Sequence, residues 1–303
     1  MLTERRVPRR LQSAAATVAE TRGAQFLRQV AMDFAKDDIT GLAAEMAYRL
    51  LFAFFPFLIF LAALVGFISA TVGYANLFNV VMASIALVVP PEIERVISDW
   101  VAGVLSTRSP GLMTFGAAGA LWGGSGGVGT LIKGLNRAYG VSETRPFWVV
   151  QTRALIATVA LTVVMIGGVS LYSLGRRAGE WLAELFDLGQ GFIGAWNASQ
   201  RPFVAIGLGL ALLLCYRALP NASVTVRQAL PGTVTATVGW VILTVGFSSY
   251  VDHFGSYDKT FGSLGAAVVL MLWMYAVGII LLAGGEVNAV AARLRGATAA
   301  TGK

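Results

Sequence analysis

The chain has one cysteine and one histidine in 303 residues, and only 13% of it is charged. Each scarcity excludes a class of chemistry. The solitary Cys215 supports neither a disulfide framework nor a cysteine metal site, and the solitary His253 cannot build a multi-histidine metal centre. There is no HExxH, and no serine stands in a motif that supplies it with a base. An enzyme is therefore not expected, and neither is a cofactor or a metal. The shortage of charge says most, because ordinary soluble domains are about 25% charged. A chain that is 56% hydrophobic cannot hide its apolar surface in one water-soluble core, so lipid has to cover the rest.

What is abundant is uninterrupted apolar sequence. Residues 50–91 run for 42 positions without a charged side chain. A helix needs about 20 apolar residues to cross ~30 Å of hydrocarbon, and no backbone amide can be left unpaired there. Six segments meet or approach that requirement: 50–70, 111–132, 154–175, 202–216, 229–251 and 260–285. The fourth has 15 residues between Arg201 and Arg217, and it spans if both arginines snorkel or if its helix begins near Phe192. Segment 77–89 has 13 residues, is interrupted by Asn79 and is closed by Pro90 and Pro91, which suits an interfacial or re-entrant piece. The expected fold is all-α, a polytopic membrane protein with a bundle of six transmembrane helices and interfacial amphipathic helices. Residues 1–40 are read as a cytoplasmic arm, 41–290 as the transmembrane domain and 291–303 as a cytoplasmic tail.

Charge sets the expected orientation. Sixteen lysines and arginines fall on the side of the N-terminus, against six on the other side together with eight acids. The positive-inside rule then places both termini in the cytoplasm. A seventh span at 77–89 would move Lys133, Arg137, Arg145 and Arg153 outside, which rejects it. The same distribution disposes of nucleic acid as a partner, since the basic residues follow the loops and form no aromatic-interleaved patch. Residues 1–40 are polar, so the first span is the expected insertion signal.

The connections carry helical periodicity of their own. Phe26, Val30 and Phe34 fall on one face beside Leu27 and Ala31, an amphipathic helix expected at the cytoplasmic surface. Ile93, Val96, Ile97, Trp100, Val101 and Val104 repeat at three and four after Pro91, and Trp181, Leu182, Leu185 and Leu188 do the same. Both read as interfacial helices or short lids on the outer side, or as helices that simply pack on loops.

Few residues are placed to carry chemistry. Gly119, Gly123 and Gly127 recur every four positions, a small-residue face read as helix packing rather than a conduction path. Gly124, Gly126 and Gly129 match a dinucleotide fingerprint by spacing alone, with no strand before them. Glu45 and Arg49 lie four apart on one face with Tyr48 alongside, and ionisable residues at a membrane edge pair with each other or face water. Glu286 closes the sixth span at the same depth, which makes a Glu45, Arg49, Glu286 cluster the expectation if the first and last helices touch. Such a cluster is either a clamp between helices or part of a substrate pathway that would include Ser125. Pro56 frees a carbonyl in the first span and is expected to kink it. On the outer side Asp252, His253, Tyr257, Asp258 and Lys259 share one tight loop, read as a hydrogen-bonded turn or a polar headgroup site.

Several stretches resemble a known family. They are Leu42-Ala-Ala-Glu-Met-Ala-Tyr-Arg-Leu-Leu-Phe-Ala-Phe-Phe-Pro56, Leu121-Trp-Gly-Gly-Ser-Gly-Gly127 and Leu135-Asn-Arg-Ala-Tyr-Gly140. Tyr216-Arg-Ala-Leu-Pro-Asn221, Ala229-Leu-Pro-Gly232, Phe254-Gly-Ser-Tyr257, Phe261-Gly-Ser-Leu-Gly265 and Gly285-Glu-Val-Asn288 follow in order. Together they resemble the YihY/BrkB family of bacterial inner-membrane proteins. The resemblance implies a six-span bundle with both termini inside and no established activity, the family's old ribonuclease BN label notwithstanding. The chain departs from it in carrying Arg49 where many members have an aromatic residue. Two functions remain as expectations: a transporter or lipid-translocating protein acting on an amphiphilic or anionic substrate, or a structural or regulatory protein with membrane lipids as its only partners.

Overall fold

A computed structural model describes residues 22–72, 82, 94–95, 97–98, 110–254 and 263–296. The described chain is all-α. Its long helices are α1 (Arg22–Lys36), α2 (Ile39–Val72), α3 (Pro110–Ala138), α4 (Phe147–Phe186), α5 (Gly189–Ala218), α6 (Val226–Phe254) and α7 (Ser263–Leu294). Consecutive helices from α3 to α7 pack on one another, and α7 also touches α1, α2 and α3. That places α7 at the centre of the bundle.

Local chemistry sets the helix ends. Asp38 adopts a left-handed φ of 53° and its Oδ1 accepts from the Gly41 amide at 3.2 Å, capping α2. α3 ends where Gly140 takes φ 66° and the Val141 amide returns to the Asn136 carbonyl at 2.9 Å. α6 starts after Thr225, whose amide and hydroxyl both reach Gln228 Oε1, at 2.8 and 2.9 Å.

Among the described residues five stretches are long and apolar enough to cross a membrane: Ile39–Phe60, Phe147–Val164, Gly189–Ala218, Val226–Phe247 and Ala267–Leu294. The expected count of six is corrected by α3. It has 29 residues, ample length, but nine are glycine, and glycine adds little hydropathy. The fourth span takes the second of its two expected forms, since α5 starts at Gly189, just before Phe192, and runs 30 residues through Pro202. The separate interfacial helix at Trp181 is instead the end of the 40-residue α4, which stops where Asp187 turns left-handed. Segment 77–89 and the helix after Pro91 lie almost wholly outside the described residues.

Aliphatic side chains cover the outside of the bundle. Ile156, Val159, Val163, Ile206, Leu210, Leu214, Val238, Ile242 and Val245 are all exposed, at helical spacing along α4, α5 and α6. Water would tolerate so continuous an apolar surface poorly, whereas lipid suits it. Inside, one cluster gathers Leu42, Met46, Leu135, Tyr216 and Leu282 near the end that carries the loops 139–146 and 219–225. A second holds Phe54, Leu58, Phe247, Leu270 and Trp273, with the Phe247 and Trp273 rings 5.1 Å apart.

Candidate functional site

The glycine face of α3 lies against α2. A Cβ built on Gly119 would meet Pro56 at 2.8 Å, one on Gly123 would meet Ala53 at 2.6 Å, and one on Gly127 would meet Leu50 at 2.8 Å. The two backbones approach closely because no side chain intervenes. Pro56 sits inside a continuous α2 and packs directly on this face.

One flank of that seam carries the charges. On α2, Glu45 Oε1 accepts from Arg49 Nε at 3.2 Å, from Arg49 Nη2 at 3.1 Å and from Thr130 Oγ1 of α3 at 3.3 Å. Its Oε2 accepts from Lys133 Nζ at 2.9 Å. Both helices therefore hold one carboxylate between two cations. Arg49 lays its guanidinium over Gly126, where a Cβ would stand 3.3 Å from Nη1. The side chains of Arg49 and Lys133 are 48% and 49% exposed, so donors on both remain accessible from outside the bundle. On α2 Phe52 is exposed about one turn beyond Arg49, and on α3 Trp122 is exposed about one turn from Gly126 and about three from Lys133; the Tyr48 and Phe52 rings are tilted against each other with centroids 4.8 Å apart.

Glu286 does not join this cluster, which corrects the three-residue grouping expected from depth alone. α7 meets another face of α2, with Gly278 against Ala43 and Met46. Eight residues further on, about 12 Å along the helix, Glu286 is level with the α1–α2 turn. There it faces Asp37 and Asp33.

Ser125 is buried and ties α3 to α4: its Oγ donates to the Trp122 carbonyl at 2.7 Å and accepts from Gln151 Nε2 at 2.8 Å. Asp252 and His253 belong to the last turn of α6 rather than to a loop, and Tyr257, Asp258 and Lys259 lie outside the described residues. An open pocket of about 510 Å³ at the α5–α6 turn is lined by Leu214, Arg217, Ser223 and Thr225, among others, and by none of the expected site residues.

The expected site omitted Thr130, Asp33 and Asp37. Thr130 and Lys133 are three apart and so share the α3 flank beside Gly126, a signal present in the spacing. A further polar tie lies at the same end. Glu143 accepts from Arg145 Nε at 2.7 Å, Arg145 Nη2 at 2.6 Å and Asn136 Nδ2 at 2.9 Å. Hydrogen bonds from the Arg145 guanidinium hold the Glu143 carboxyl well below the usual carboxylate range, at about 2. Asn136 also accepts from the Asn221 amide at 2.7 Å, and Asn221 Nδ2 donates to Ser142 O and Thr144 Oγ1 at 3.0 and 2.9 Å. Two loops are thereby locked together.

Long apolar helices and an aliphatic exterior define a polytopic α-helical membrane protein. The model of the family described as virulence factor BrkB matches residues 30–303, and the chain belongs to that family. It is 31% identical over 265 residues to the ribonuclease-like protein YfkH of Bacillus subtilis (strain 168), covering 88% of this chain and 94% of the relative. It is 27% identical over 256 residues to a UPF0761 membrane protein of Alteromonas mediterranea, covering 83% and 82%. No solved structure matches it.

Proposed function

We propose that the chain transports an anionic amphiphile across the bacterial inner membrane, with both termini in the cytoplasm, and that the head group is taken at the Glu45, Arg49, Lys133 cluster. The observation that carries this reading is a pair of half-exposed cations on one flank of a helix seam, with Phe52 exposed one turn beyond Arg49 on α2 and Trp122 exposed further along α3. A phosphate or carboxylate head would take the free side of the Arg49 fork and the Lys133 ammonium, both stronger donors than neutral groups. Glu45 holds the two cations at fixed spacing and leaves the cluster one positive charge in excess. The acyl chain would stay in lipid beside the exposed aromatics. The reaction is movement of the amphiphile, with no covalent step, and neither nucleic acid nor a cofactor takes part. Pro56 supplies the place where α2 can bend against α3.

A second reading has its own support. The close approach of α2 and α3 along Gly119, Gly123 and Gly127 is what a static clamp between helices would use. Reconstitution into liposomes carrying a fluorescent anionic phospholipid separates the two. The transporter reading expects scrambling well above protein-free vesicles, slowed about tenfold by Arg49→Ala, the worth of one charge-assisted hydrogen bond. Wild-type rates equal to protein-free vesicles, with and without a proton gradient, would overturn it and leave the structural reading.

A further inference from the structure

The pocket at the α5–α6 turn lies apart from the Glu45 cluster and holds a cation of its own. Arg217 stands in the last turn of α5, and its Nε donates to the Val224 carbonyl at 3.3 Å, which holds the guanidinium against the turn. Its terminal nitrogens have no hydrogen-bond or ion-pair partner among the described residues. The neighbouring sequence supplies no counter-charge: residues 188–251, which take in all of α5 and nearly all of α6, contain no aspartate or glutamate. Glu143, the acid of the loop tied to this turn through Asn221, is already taken by Arg145 and Asn136. Ser223, exposed in the same pocket, adds a hydroxyl.

The apolar walls continue into the membrane. Leu214 lines the pocket, and Leu210 and Ile206 follow it at four-residue spacing, all three exposed on α5. On α6 Val226 lines the pocket, and Leu230 and Val234 follow it in the same way, again exposed. Each row covers about 12 Å of helix, and both belong to stretches long and apolar enough to cross a membrane. A ligand that satisfies all of this has an anionic end for the pocket and hydrocarbon for the two rows. We propose that the pocket binds the head group of an anionic phospholipid from the adjoining leaflet, with its phosphate on the Arg217 fork and the Ser223 hydroxyl and its acyl chains along the two rows. A volume of about 510 Å³ is ample for a glycerophosphate head. A zwitterionic head would bring an ammonium to a turn with no carboxylate free to receive it, so the site selects by net charge. The lipid is a resident of this surface rather than cargo, and the site stands whether or not the Arg49 cluster transports anything.

The test uses the full chain in phosphatidylcholine nanodiscs doped with phosphatidylglycerol that carries a diazirine near the head of one acyl chain, followed by peptide mapping of the photo-adducts. Adducts are expected to concentrate in segment 206–234 and to fall about tenfold there in Arg217→Gln, the worth of one charge-assisted hydrogen bond. Ser223→Glu sets a carboxylate beside Arg217 at an exposed position and should remove them too. Phosphatidylcholine carrying the same diazirine should label this segment no more than the exposed face of α4. Wild-type adducts that are no denser in 206–234 than on α4, or equally dense with both lipids, would overturn the proposal whether or not any variant folds. Unchanged labelling in both Arg217→Gln and Ser223→Glu would overturn the assignment of the head group to Arg217. Labelling of 206–234 that collapses in Arg49→Ala would mean that the lipid is held at the α2–α3 seam instead. Inorganic phosphate at millimolar concentration should leave the adducts in place, and loss of them to phosphate would overturn the lipid in favour of a free-phosphate site.

Discussion

Glu45 and Glu286 stand on helices that touch, at the same end of the bundle, and their surroundings are opposite. Glu45 is partly exposed and receives four hydrogen bonds from three residues, two of them cations. Glu286 is completely buried and receives none from the described residues, while a second carboxyl abuts it. The helix face decides this. α3 brings a hydroxyl and an ammonium to the flank of α2, whereas the α1–α2 turn brings acids to the flank of α7. A carboxyl given donors keeps its charge. Glu143, with two donors from the Arg145 side chain and one from Asn136, belongs with Glu45.

The largest expected effect comes from crowding the contact between α6 and α7. Gly232 of α6 abuts α7 so closely that a Cβ would collide with the Gly284 carbonyl oxygen, and its amide donates to Asn288 Oδ1 at 2.6 Å. Backbone cannot retreat as a side-chain tip can. Gly232→Ala should cost about 3 kcal/mol or more, the upper end for overpacking, and shift the register of Glu286 and Asn288. Gly129→Ala on α3 meets nothing within 4 Å and should be neutral or stabilise by about 0.5 kcal/mol through helix propensity. Thermal melting in detergent compares them. Equal melting points would show that α6 and α7 are not in backbone contact.

Next in size is an acid limb set by Glu143. Because Arg145 holds Glu143 at about 2, below its ordinary 4.5, the stability it contributes is complete above the ordinary value and is lost as pH falls toward about 2. The side chain is 29% exposed, so screening by water limits the contribution to about 1–2 kcal/mol at neutral pH. Glu143→Gln should lower the neutral-pH melting temperature and flatten the acid limb. A Glu143→Gln variant with an unaltered acid limb would remove the contrast.

The spans were legible because length and hydropathy are local quantities, and the Glu45–Arg49 spacing was legible because four residues return a helix to the same face. α4 was misread because Arg176, Arg177 and Glu180 look like a loop, although a helix continues through charges as readily as through leucines. α3 was counted as a span by its lack of charge, and its glycines lower the hydropathy that the count relies on. Glu286 was assigned the right depth and the wrong neighbours. Depth follows from position along a helix, whereas neighbours depend on which faces meet, and Asp37 is 249 residues away in the chain. Nothing local marks that contact.

The smallest effect tests how Glu45 shares its donors. Arg49 is 48% exposed, Lys133 49% and Glu45 31%, so each ion pair is worth no more than about 1 kcal/mol. Their arrangement is unequal, however. Arg49→Gln leaves Glu45 with Lys133 and Thr130, while Glu45→Gln leaves two cations facing each other across the seam without their carboxylate. Glu45→Gln should therefore destabilise more than Arg49→Gln, by about 0.5 kcal/mol. In a double-mutant cycle the two losses should also sum to more than the loss in the double variant, since Glu45→Gln removes the partner that makes Arg49 matter. The measurement is thermal melting of the four proteins in one detergent at low salt, where screening is least. Strict additivity would mean that the two side chains do not interact, and a larger loss from Arg49→Gln would mean that Glu45 is not the shared centre of the cluster.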